Sequence, residues 1–323
     1  MSMYGSKDIA FFFVGGYSLL ASSLQGFAEK VMADQARTDG LGDSWEEHTP
    51  TGMKKATLSQ DGAFFDVGTN LAHAALSGAT GTSRVICVGR EGNVAGKHFV
   101  GYTGSYASQY DVLAKLGNLT KADVTYTISG ARDEGQILQI WEAKTADWNT
   151  ETSGEVDYTL DTTQRVIPIT SNSQANPTVI TTPVPHGLAT NDIILIAGET
   201  GSSPTINGQR TVTVISTTTF SVPVNTSGGT GGTGGSFVKA NSTGGGIAFQ
   251  QVTAFSGFTG FVGKVRDSAD DTTYADLLTF ANVTSAPSAE AVTVSGTVDR
   301  YLAVDGNVTG SGSITLFIGF ARR

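Results

Sequence analysis

Residues 225–236 read NTSGGTGGTGGS, a stretch with no charge and no large apolar side chain, in which six of the twelve positions are glycine. How it is read decides how the chain is divided. A phosphate-cradling loop needs a lysine directly behind the glycines and a helix opening there, and neither pattern follows. Sequence of this composition behaves as a flexible coil. The tract is therefore expected to be the exit tether of an inserted domain, with TSNSQAN at 170–176 as its stiffer entry.

The texture on either side agrees with an insertion. Residues 169–224 hold three charged side chains, Asp192, Glu199 and Arg210, between short apolar runs at 178–182, 192–197, 209–216 and 219–222. Such closely spaced β runs, separated by PHGLATN, GETGSSPTING and STTT, predict a small immunoglobulin-like sandwich. Upstream, strands are expected at 8–14, 84–88, 99–111, 123–129, 136–141 and 156–160. A hairpin-like pair is expected at 55–66. Leu71, Ala74 and Ala75 place a short helix at 70–76. Downstream the same order of elements returns: strand 255–266, a short amphipathic helix at 273–280, then strands 291–295, 301–309 and 313–320. The chain thus divides into 1–168, an inserted 169–236, and 237–323 as a possible duplicate of the first part.

Composition excludes several functions. The net charge is −9 and Lys and Arg form no cluster, so nucleic-acid phosphates are repelled rather than held. The single cysteine, Cys87, rules out an internal disulfide framework and reads as a buried strand residue. Residues 9–28 carry no charge, yet Gly15, Gly16, Ser18, Ser22, Ser23, Gln25 and Gly26 make them too polar for a membrane span. Lys7 is cancelled by Asp8, so no basic signal-peptide start is expected. GREGNVAGK at 89–97 imitates a P-loop but has Glu91 where glycine is needed and His98 in place of Ser or Thr, so it reads as a turn. Asp267, Asp270 and Asp271 in DSADDT are a weak cation candidate without the glycine or alternating ligands of an EF-hand loop. His48, His73, His98 and His186 show no ligand spacing, and no nucleophile motif opens a helix. Neither a catalytic residue nor a cofactor is expected, and the chain reads as a non-enzyme.

As a whole the chain resembles the major tail tube proteins of bacteriophages with long, non-contractile tails. LGDSWEEHTPTGMKKATLSQDGAFFD at 41–66 with NLAHAAL looks like that family's loop, hairpin and helix. GKVRDSADDTTYADLLTF at 263–280 with VSGTVDRYLAVDGNVTGSGSITLFIGFARR at 294–323 is similar to the closing segment of such proteins. PHGLATNDIILIAG (185–198) with INGQRTVTVISTTTFSV (206–222) looks like a β module inserted in phage structural proteins. The resemblance implies a mainly β fold: a tail-tube-type β-sandwich or barrel with short flanking helices, possibly duplicated, plus the immunoglobulin-like insertion. It implies a structural virion protein of the tail, assembled in the host cytoplasm, whose stacked rings form the hollow tube that conducts DNA. Its partners would be further copies of itself, three per ring as a pseudo-hexamer or alternatively six, and the tail terminator, tail-tip and tape-measure proteins. DNA would pass without sticking. The family's inter-ring loop best matches 33–50, with Trp45 as anchor and Asp39, Asp43, Glu46 and Glu47 beside it. The insertion would decorate the tail exterior, since facing the lumen would block it, and it offers a contact to the host surface. The rival readings are a surface-binding adhesin of β modules and another capsid or tail-tip protein. An adhesin predicts clustered aromatic residues at 169–224, where Phe220 stands alone.

Overall fold

The computed structural model describes residues 9–19, 26–37, 48–64, 77, 81–114 and 120–323. It is mainly β, built from antiparallel sheets. The first strand shows how. FFFV at Phe11–Val14 is buried at every position because successive side chains leave a strand on opposite faces and both faces are covered. Phe12 and Val14 enter a core with Leu58, Ile86, Val100, Tyr102 and Tyr126. Phe11 and Phe13 enter another with Cys87, Phe99, Ile137, Phe249 and Phe317. Gly15 and Gly16, at φ 58 and 87, then turn the chain back. Burial pushes the Cys87 thiol up to about 12, so it stays protonated.

Among the described residues fourteen strands share one sheet. Its central strand, Arg132–Lys144, pairs with His98–Leu113 on one side and Tyr301–Arg322 on the other, which joins the first and last parts of the chain. Tyr301–Arg322 and Gly246–Ser268 form a long ribbon, bent by register shifts near Ala254 and Phe258. One core lies within the first part, a second is centred in the last part on Phe261, Val265, Leu316 and Ile318 with Leu138 and Val156 of the first part added, and the Phe11 cluster lies between them. Arg322, at the end of the ribbon, is half-buried. Its guanidinium donates to the carbonyls of Val298 (2.8 Å), Asp299 (2.5 Å) and Arg300 (3.2 Å) and lies 4.2 Å above the Tyr158 ring.

Several expectations change. Residues 273–280 do not form a helix. Ala275–Thr279 is a strand on Gly246–Ser268, because Leu278 and Phe280, two apart, share the core face while Asp276 pairs with Lys264 at 2.6 Å. The pair expected at 55–66 is a single strand, His48–Phe64, whose partner is Gly26–Arg37. Its QDG stretch is absorbed as a register shift between Gln60 and Ala63 rather than a turn. The expected strand 156–160 stops at Asp157, whose side chain accepts from the Thr159 amide and caps a 3-10 turn over Tyr158–Leu160. The helix expected at 70–76 lies outside the described residues.

Between the two parts, eight short strands form two four-stranded sheets. One holds Ile167–Pro168, Ser236–Lys239, Ile193–Ala197 and Gly208–Thr211. The other holds Ser171–Asn172, Thr178–Thr181, Thr219–Val222 and Thr213–Val214. They face each other over Ile180, Ile194, Ile196, Ile206 and Val212, with Phe220 and Phe237 edge to face at 5.2 Å. The run expected as one strand at 209–216 changes sheets at Val212, which is fully buried at the corner.

The glycine tract is part of this sandwich, not a free tether. The Thr226 hydroxyl donates to the Ser173 carbonyl at 2.8 Å, and Thr230 and Thr233 bridge to Ser203 and Thr200. The chain then continues directly into the strand Ser236–Lys239. At Gly232 a Cβ would lie 1.8 Å from the Glu199 carboxylate, and at Gly235, at φ 73, 2.4 Å from the Glu199 amide. Glycine is there because two backbones approach too closely for a side chain.

Candidate functional site

The strand Gly26–Arg37 with His48–Phe64 forms an arm. Its root, from 56 to 64, lies against Lys121–Ile128, whereas 31–37 and 48–55 pair with each other alone among the described residues. Two contacts fix the root. Phe27 meets Phe12 edge on at 5.3 Å. Two positions further on the same face, Glu29 accepts from Arg90, Arg132 and Tyr102. Burial acts to raise the Glu29 pKa, but the bonds from Tyr102, Arg132 and Arg90 hold it below the ordinary carboxylate range. Burial, and then Glu29 itself, push the Tyr102 phenol upward. Past this cluster the arm exposes Val31 (49 %) and Met32 (39 %). A cavity of about 720 Å³ opens beside them, lined by Glu29, Val31, Ala56, Ile128 and Arg132.

Arg37 and His48 are the last pair of this ribbon. The expected contact residues Asp39, Asp43, Trp45, Glu46 and Glu47 lie between them in sequence and outside the described residues. The expected loop 33–50 is strand at both described ends.

Asp267, Asp270 and Asp271 serve three different structural bonds. Asp267 accepts from the Asp299 amide at 2.9 Å, and burial raises its pKa. Asp270 accepts from the amides of Thr272 and Thr273, both at 3.0 Å. Those bonds, Thr273 first, hold its carboxyl well below the ordinary range. Asp271, at φ 61, accepts from the Tyr274 hydroxyl at 2.7 Å. Among the described residues no group of three His, Cys, Asp or Glu is placed to hold a metal ion, and no helix is long and apolar enough to cross a membrane.

Sequence spacing missed His98. Its Nδ1 lies 3.1 Å from Glu91 Oε2 and its Nε2 3.0 Å from Asp161 Oδ1, a partner 63 positions away. The P-loop imitation at 89–97 marks this turn without revealing its role. It brings Glu91 back over the strand that His98 begins.

No protein-family model matches the chain, and no curated protein matches it. Solved structures similar to it include three whose sequences differ widely from it. One is a chain of the virion of a native gene transfer agent particle, 12 % identical over 41 % of this chain and 98 % of that one, at a TM-score of 0.31. Another is from the tail of an empty gene transfer agent particle computed with helical refinement and C6 symmetry, 13 % identical over 40 % and 97 %, at 0.31. The third is the SPP1 Dit protein, described as a paradigm of the hub adsorption apparatus in phages infecting Gram-positive bacteria, 8 % identical over 96 % and 98 %, at 0.28.

Proposed function

We propose that this chain is a structural subunit of a phage tail, a tail tube protein whose copies close into rings and stack head to tail around a DNA-conducting channel. The observation that carries the reading is the arm. A two-stranded ribbon with no third strand is at best marginally stable in water, yet 31–37 and 48–55 extend as one past the Glu29 cluster and expose Val31 and Met32. The outer edge of Gly26–Arg37 also has no strand partner among the described residues, which makes it a template for another chain. A further copy of the same chain meets both needs, and a head-to-tail contact repeats without limit along a stack. The net charge of −9 suits a wall along which DNA slides. One core in each half and a third between them fit two ring positions per copy, hence three copies per ring rather than six. The sandwich at 167–239 then decorates the exterior, where it offers a contact to the host surface.

Replacing residues 33–50 by a two-residue turn tests this. Stacked tubes seen by electron microscopy should disappear while the melting of the body is retained. Tubes of unchanged length from the shortened chain would refute the role of the arm. The native mass of an isolated ring separates three copies from six.

A further inference from the structure

The chain enters and leaves the sandwich through two connections of different construction. The return is held by main chain on both sides. The Ala240 amide donates to the Ile193 carbonyl at 2.8 Å within the sandwich, and Ser242 and Val298 exchange both of their bonds, at 3.1 and 2.8 Å, on the body. The entry is anchored by main chain only at its start, where Asp157 pairs with Tyr301 and the Tyr158 amide donates to the Arg300 carbonyl at 3.0 Å, and 159–165 meets the body through side chains. Asp157 takes a two-pronged bond from Arg300 at 2.8 and 2.6 Å, Thr159 accepts from the same guanidinium at 3.1 Å, and Asp161 meets His98. The 3-10 turn Tyr158–Leu160 has no buried residue, and Leu160 and Val166 are largely exposed. Cavities of about 260, 190 and 200 Å³ adjoin it, the first two lined in part by His98. A segment seated by polar contacts over unfilled space can lift without exposing a core.

We propose that residues 159–165 form a releasable strap, latched by His98, that fixes the angle between sandwich and body, and that its release lets the sandwich turn about its anchored ends at 157–158 and 240–242. This holds whether or not the chain builds a tail tube. The latch is the imidazolium, since only the doubly protonated ring donates to Glu91 and Asp161 at once. The bond to Asp161, followed by that to Glu91, raises the His98 pKa to about 9 against the effect of burial. Burial would raise the Asp161 pKa, but His98 and then Thr163 hold it below its ordinary value. The other charged groups around the crevice are Lys97, Arg90, Glu134, Glu155, Arg322, which faces Asp161, and Asp157, the last of these neutralised by Arg300. A raised histidine pKa stabilises the form that carries the proton. The latch is therefore complete below the ordinary histidine value of 6.5 and fails as pH rises through about 9. The Asp161 share is present above the ordinary value of 3.8 and is lost as pH falls below it.

Spin labels on Ser227→Cys in the sandwich and Thr309→Cys in the body, both exposed positions, report the angle, because the native Cys87 is buried. The expected result is a narrow distance distribution at pH 6.5 that broadens as pH passes about 9. In His98→Ala it should be broad at both values. Asp161→Asn weakens the latch from the strap side and leaves the body strand intact. It should broaden the distribution at pH 6.5 even where His98→Ala fails to fold. A distribution equally narrow across this range in the native chain, or unchanged in the folded variants, would overturn the proposal.

Discussion

Gly232→Ala is expected to melt the sandwich, while Gly228→Ala in the same tract leaves it intact. At position 228 nothing lies within 4 Å of an added Cβ, so the cost should stay within about 0.5 kcal/mol. At position 232 the added methyl would lie 1.8 Å from Glu199 Oε1, 2.5 Å from the Thr200 carbonyl and 2.6 Å from the Ser202 amide. Glu199 is 4 % exposed and cannot move into water. Its Oε1 accepts from Asn172 Nδ2 at 3.0 Å and from the Ser202 amide at 3.2 Å, and its Oε2 from the Ser202 hydroxyl at 2.5 Å. Asn172 in turn accepts from the Gly232 amide at 2.9 Å, so the methyl strikes the group that holds its own backbone. Breaking the bonds of this buried carboxyl costs about 1–3 kcal/mol for each group left unsatisfied, a large share of the roughly 5 kcal/mol that holds a small domain together. Thermal unfolding of the two variants side by side is the measurement. Equal melting would mean that the tract is a loose tether after all.

The second large effect is expected at Arg322. Burial lowers its pKa to about 10, and it remains the cation whose fork fills three carbonyls of 298–300 and the face of Tyr158. Arg322→Met conserves bulk but takes the donor from the Asp299 carbonyl, leaves those of Val298 and Arg300 with only their main-chain donors, and removes the cation–π contact. The combined loss is about 3 kcal/mol, which lowers the melting temperature of a body of this size by roughly 6–12 °C. Arg323→Met should cost about 1 kcal/mol, because its bonds to Asp133, both 3.0 Å, come from a side chain that is 41 % exposed. Calorimetry ranks the two, and an Arg322→Met chain as stable as the parent would show that water satisfies the carbonyls.

What the sequence disclosed follows from how each element is stabilised. Phe11–Val14 was legible because a charge-free run before two glycines has few alternatives to a buried strand. The change of texture after 168 marked the sandwich, since short β runs with turn residues between them carry their own signal. GFAEKVMADQAR at Gly26–Arg37 was missed. Its Ala, Glu, Lys and Met favour helix, and the strand exists because His48–Phe64 lies alongside it. TYADLLTF misled in the same way, its leucines fitting either period until Val265 and Lys264 supply the partners. The glycine tract was misjudged because composition does not distinguish a glycine that is free from one pressed against Glu199. His98, Asp157, Asp161 and Arg300 carry no local pattern, and only the fold brings them together.

Self-assembly is tested by negative-stain microscopy of the purified full chain at high concentration. Rings or tubes with an open lumen are expected. Protein that stays monomeric at every concentration would contradict self-assembly.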